Sequence, residues 1–240
     1  MTPIQNPKSK IQNPPTSFWT AVRAIVWKDL TVERHTGQTI SVMLFFSIAA
    51  VVTFNLAIVG KLDAGRNVSA GLLWVIILLA GTLGLNRSFA AERENQSMDA
   101  LLMAPIERSA IYVGKVISIT LFTLLLELVL VVLFAVFFNR PFLQWPVLGL
   151  LVLGTLGYTA VGVLITAMTL HTRSREVLLP ILLLPLTLPA VLSVASATAA
   201  YVFDPTTPWS AVSFQVSLVI LYDVLMLAAG YFTFGYVVEG

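Results

Sequence analysis

NRSFAAERENQSMDALLMAPIERSAIYVGK, residues 86–115, carries eight charged residues in a chain that has only 14 Lys or Arg and 12 Asp or Glu. On either side lie apolar runs long enough to cross a bilayer, which takes about 20 residues as an α-helix. A polar island between two such runs cannot sit in hydrocarbon. It must lie in water at one face of a membrane, with a spanning helix entering and another leaving.

The rest of the chain agrees. Of 240 residues, 58% are hydrophobic and 11% are charged, whereas soluble domains carry about 25% charged residues. Runs of alternating polarity about ten residues long, the mark of a membrane barrel, are absent. The fold class is therefore all-α and polytopic. Six spans are expected at about 40–60, 70–90, 110–138, 146–170, 177–203 and 211–238. Residues 1–17 are polar and Pro-rich and are expected to form a disordered tail; 18–240 form a single six-span domain. Residues 18–36 place Phe18, Val22, Ile25 and Val26 on one helical face with Trp19 and Leu30 at its edge. Asp29 interrupts that face. Two tryptophans and scattered cations suit a helix lying in the membrane interface.

An even number of spans puts both termini on one side, and the positive-inside rule says which. With the tail inside, only Lys61, Arg66 and Arg140 face outward; every other Lys and Arg is cytoplasmic. The tail, the island and the connector 171–176 then face the cytoplasm. The outward turns, 61–69, 139–145 and 204–210, are short, so function is expected in the spans or on the cytoplasmic face. Trp74, Trp145 and Trp209 fall near outer span ends, as aromatic belts do.

Several chemistries are excluded. The chain has no cysteine, hence no disulfide, thiolate metal site or catalytic thiol. No stretch has the G-x-x-x-x-G-K-[ST] spacing that cradles nucleotide phosphates; any ATP is hydrolysed on another chain. A net charge of +2 gives no argument for nucleic acid. His35 and His171 lie at span edges, so neither is placed as the base of an intramembrane catalyst, and no metal site is expected. Two acids lie at membrane depth, Glu127 and Asp223. A charge there costs roughly 2.5–3.5 kcal/mol, so both are candidate intramembrane polar sites, or carboxyls hydrogen-bonded to a neighbouring helix. Gly81, Gly84, Gly154, Gly157 and Gly162 read as close helix contacts. Pro180, Pro185 and Pro189 are candidate helix breaks that predict a kinked or discontinuous fifth span.

Within the island, residues 91–104 can form a short helix with Met98, Leu101 and Leu102 on one face. Glu92, Glu94 and Asp99 lie toward its start, where the helix dipole favours anions. Pro105 stops it, and Ser109 is placed to cap the third span. An apolar knob flanked by charge suits docking of a soluble partner. The expected coupling residues are Glu92, Glu94, Met98, Asp99, Leu101, Leu102, Pro105 and Arg108.

Two stretches resemble the CcmB family, the permease subunit of the ABC-type heme exporter of cytochrome c maturation. The first is residues 72–115, through Trp74, Leu78-Leu79-Ala80, Arg87, Phe89-Ala90, Glu92, Glu94, Leu101-Leu102, Pro105 and Lys115. The second is residues 154–192, through Gly154-Thr155, Thr169, Arg173, Arg175, Glu176, Pro180, Pro185 and Pro189. The resemblance implies an ABC-2-type permease fold with an N-terminal interfacial helix and a coupling helix between spans 2 and 3. It implies no catalytic role for this chain, and a bacterial inner-membrane location with cytoplasmic termini. The implied partners are a CcmA-like ATPase, CcmC- and CcmD-like membrane subunits and a CcmE-like heme chaperone, with two copies of this chain per complex. Heme would be a transported or handled ligand, and ATP would act through the partner. Two other readings stay open: a permease of another ABC-2 exporter, for lipid, drug or polysaccharide, and a non-transporting scaffold of the heme-handling complex.

Overall fold

The computed structural model describes residues 17–58, 62–94, 101, 103–169 and 175–239. Among them the chain is helical throughout, with seven helices and no strand. They are α1 (Phe18–Thr36), α2 (Gln38–Ile58), α3 (Leu62–Glu94), α4 (Arg108–Phe138), α5 (Trp145–Thr169), α6 (Arg175–Phe203) and α7 (Trp209–Glu239). The six from α2 to α7 each hold a segment apolar and long enough to cross a membrane.

Burial separates the core helices from the lipid-facing ones. Two-thirds of the most apolar window of α3 and of α5 is buried inside the protein, against 17% for α2 and 22% for α7. α5 is the centre: α3, α4, α6 and α7 all pack on it. Its sequence shows why. It has no charged residue, and its small residues admit neighbouring side chains: Trp74 packs on Gly154 and Leu85 on Gly162. Close approach of this kind replaces the hydrophobic drive that lipid cannot supply. The same device recurs on α3, where Gly81 receives Tyr158 and Gly84 receives Met43, and on α5 again, where Gly157 receives Asp223, so the five glycines singled out by sequence are close contacts.

The two ends of the bundle can be told apart. At one end the Phe18 ring lies 6.3 Å from Tyr231, and Gly235 faces Arg108. The start of α1, the start of α4 and the end of α7 therefore meet there. At the other end Phe134 stacks on Phe138 at 4.9 Å and meets Phe142 at 5.4 Å. Gln144 Nε2 donates to Tyr201 O at 3.2 Å, and Arg140 lies over Phe203.

Four local expectations are corrected. Residues 62–69, expected as part of a turn, are the first turns of α3; one glycine in a helix costs about 1 kcal/mol, too little to stop one this long. Trp74 is not in an outer belt but 2% exposed, its Nε1 donating to Thr198 Oγ1 at 3.0 Å; Trp145 and Trp209 are exposed. α6 runs as one helix through Pro180, Pro185 and Pro189, which removes the discontinuous alternative and leaves the kinked one. Ser109 does not cap α4: the cap position belongs to Glu107, whose carboxylate accepts from Ser109 Oγ at 3.4 Å. An anion at this helix start is favoured by the dipole.

Candidate functional site

The polar island joins α3 to α4, and its base is where charge is concentrated. α1 lies across this region because its buried face, Ala21, Val22 and Ile25, packs on α4 at Ala110 and Gly114. The same face continues through Asp29, which is buried although ionisable. A buried charge needs a partner, and here it has one. Lys115 Nζ, wholly buried, donates to Asp29 Oδ1 and Oδ2 at 2.9 and 2.8 Å. It also lies 2.5 Å from Glu92 Oε1 at the end of α3, and 5.8 Å from the Phe89 ring centre.

Lys28 completes the cluster, 2.5 Å from Glu92 Oε1 and 3.2 Å from Asp29 Oδ1. Burial pulls its ammonium pKa down, but the adjacent Glu92 and Asp29 carboxylates outweigh that and hold it above the ordinary lysine value. Two cations and two carboxylates from three helices thus balance one another. A polar cleft opens beside them, among Lys28, Asp29, Glu33, Gln38, Ser88 and Glu92.

The corner between α1 and α2 is tied by Glu33. Its carboxylate accepts the backbone N–H of Thr39 at 3.3 Å and of Ile40 at 2.7 Å, two of the free donors at the start of α2. Gly37 closes α1 in the left-handed region, φ 59°, where glycine carries no side-chain penalty. Arg87 Nη2 of α3 donates to Gln38 Oε1.

The expected coupling residues fall as follows. Glu92 is in the ion cluster, and residues 91–94 continue α3. Met98, Asp99 and Leu102 lie outside the described residues, and so does the side chain of Glu94. Leu101 is half-buried and packs against the body. Met103, which the sequence argument did not select, is 81% exposed. Pro105 is exposed in the bend before α4, and Arg108 begins α4. The tail 1–16 and the connector 171–174 lie outside the described residues.

The intramembrane acids are both buried, but apart. Glu127 of α4 accepts from Thr155 Oγ1 of α5. Asp223 of α7 fits against Gly157, where a methyl group would overlap its carboxyl, and among the described residues neither of its oxygens has a hydrogen-bond partner. Other hydroxyls join the core: Thr120 and Thr159 at 2.7 Å, and Tyr112 OH, which donates to Ala160 O at 3.1 Å. His35 is exposed, with Nδ1 2.8 Å from Thr31 O.

Sequence reasoning missed the role of Lys115 and Asp29. The signal was there in part: Asp29 sits where the apolar periodicity of α1 requires a hydrophobic residue, and Lys115 lies in the apolar run of α4.

The family model described as "CcmB protein" matches residues 20–237. Among curated proteins, the chain is similar to "Heme exporter protein B" of Rhodobacter capsulatus, 31% identical over 71% of this chain and 79% of the relative. The protein of the same name from Pseudomonas aeruginosa is 30% identical over 70% and 75%. That of Escherichia coli K12 is 30% identical over 70% and 76%.

Proposed function

Starting from the fact that the chain belongs to the CcmB family, we propose that an ATPase on a separate chain drives it through residues 92–108. The chain is the permease subunit of a cytochrome c maturation ABC transporter, not its ATPase, and it is a multi-pass membrane protein with six candidate spans. The charge asymmetry supports an orientation with both termini and the island in the cytoplasm, and the bacterial relatives support a plasma-membrane location. The ABC-2-type arrangement, with α1 as interfacial helix and 18–240 as one domain, fits the exposed Trp19 and Trp27 on the side of α1 away from α4.

One observation carries the coupling reading: the polar segment between the spans of α3 and α4 is rooted in a buried ion cluster. The other cytoplasmic connector between spans, 171–176, is only six residues long. Movement of its docking surface would displace residues 95–107 and, with them, the ends of α3 and α4. The outward result in this reading is release of a heme-loaded CcmE-like chaperone, with CcmC- and CcmD-like subunits alongside and two copies of this chain in the assembly. Heme is the substrate or cargo, not a resident group. Pro180, Pro185 and Pro189 would let α6 bend without breaking, and Glu127 and Asp223 serve as polar points between helices.

The test is the double substitution Leu101→Asp with Leu102→Asp. It is expected to leave the chain in the membrane and to abolish co-purification of the ATPase; normal co-purification would overturn the docking assignment. A scaffold role predicts instead that a hydrolysis-dead ATPase still supports cytochrome c maturation.

A further inference from the structure

We infer that Lys115 is the positioning residue that carries movement of the driven segment to α1, and through the Glu33 corner to α2. This rests on the coupling reading of residues 92–108. The segment's direct attachments are α3 and α4, which flank it in the chain. α1 is not adjacent in sequence, yet it is held at the same point, because one ammonium contacts Asp29 of α1 and Glu92 of α3 while belonging to α4. Glu92 is the first residue of the segment, at the end of α3, and Lys115 lies two turns into α4.

Stability alone would not select ions here. Apolar side chains of similar volume hold buried helices as well as an ion pair does, or better. What a wholly buried ammonium shared by two carboxylates adds is register: only one alignment of the three helices satisfies all of its contacts. Displacing α3 and α4 without α1 would strand Asp29 in a buried place with Lys28 alone, so α1 travels with them. The apolar contacts of Ile25 on Gly114 allow this, since they have no preferred axial position of comparable strength.

The experiment uses the full complex. Normalised to the chain that accumulates, the Lys115→Met complex is expected to hold the ATPase in normal amount and to hydrolyse ATP within about twofold of the parent. The yield of c-type cytochrome in cells is expected to fall at least about fivefold, the scale of a lost coupling, and Lys115→Arg is expected to restore it. A purely structural defect would lower chain level, hydrolysis and cytochrome yield together. That result, or an unchanged yield, overturns the proposal. If Lys115→Met does not accumulate, the cysteine-free sequence offers a second route. With Lys115 intact, Ile25→Cys and Gly114→Cys are introduced; a Cβ on Gly114 would lie 3.0 Å from Ile25 Cβ, inside the usual disulfide range of about 3.5–4.5 Å, so the two helices must part slightly for the bond to form. Oxidation in the purified complex is expected to leave ATP turnover within about twofold, because α1 and α4 move as one. Arrest on oxidation overturns the proposal. Failure of the docking reading shows separately, as an ATPase that still binds the Leu101→Asp, Leu102→Asp chain.

Discussion

The carboxyl of Asp223 lies in the hollow that Gly157 leaves on α5, so that a side chain at 157 and the carboxyl at 223 would claim the same space. The pair joins the central helix of the bundle to its last one. A polar group reaches membrane depth here because a neighbour has given up its side chain.

Gly157→Ala is accordingly expected to destabilise the protein by about 1–3 kcal/mol, the range for forcing an extra carbon into a packed interior. Thermal unfolding in detergent measures it. Asp223→Ala in the same chain is expected to recover most of the loss. An unchanged midpoint for Gly157→Ala alone would show that the carboxyl has another place to go.

Lys115→Met takes one ammonium away from the carboxylates of Asp29 and Glu92. Removing one partner from a buried ion group costs about 3–5 kcal/mol. Adding Asp29→Leu is expected to return part of this, since the uncompensated charge goes too. Chemical or thermal unfolding of the single and double variants decides it; additive losses would mean the two residues do not act on each other.

The Lys28 contribution has a definite sign with pH. Its folded pKa is raised, so its stabilisation is fully present below the unfolded value and is lost as pH rises through the folded one. The stability difference between the parent and Lys28→Met is expected to be constant from about pH 6 to about pH 9 and to shrink only above the ordinary lysine range. A difference that already shrinks near neutral pH would contradict the cluster geometry.

Trp74→Phe removes the bond to Thr198 and also the outer indole carbons that pack on Gly154, so its own loss includes a packing part. Between membrane helices such a bond is worth about 0.6–1.7 kcal/mol. Thr198→Val is expected to cost a similar amount, and the double variant no more than the larger single one. Fully additive losses would assign the effect to packing rather than to the bond.

The spans were legible because hydropathy over twenty residues is a property of each segment alone, and the close-packing glycines because lipid leaves few other ways to join helices. Residues 62–69 misled because Gly, Asn and charge favour turns only weakly against the continuation of a long helix. Trp74 misled because an indole fits two polar-edged places, the interface and a buried hydroxyl, and only Thr198, 124 residues away, selects the second. Asp29 was visible as an interruption and Lys115 as part of a family pattern. That each explains the other depends on α1 lying across α4, a placement that no local pattern contains. Met103 stayed hidden because Leu101, an apolar neighbour, takes the inward position.

The Glu33 corner deserves a mechanical reading of its own. With one carboxylate holding the first amides of α2 and Gly37 fixing the bend, α1 and α2 form a crank rather than two linked rods. On the coupling reading, a turn of α1 along the membrane surface would therefore be felt as a tilt of α2 across it.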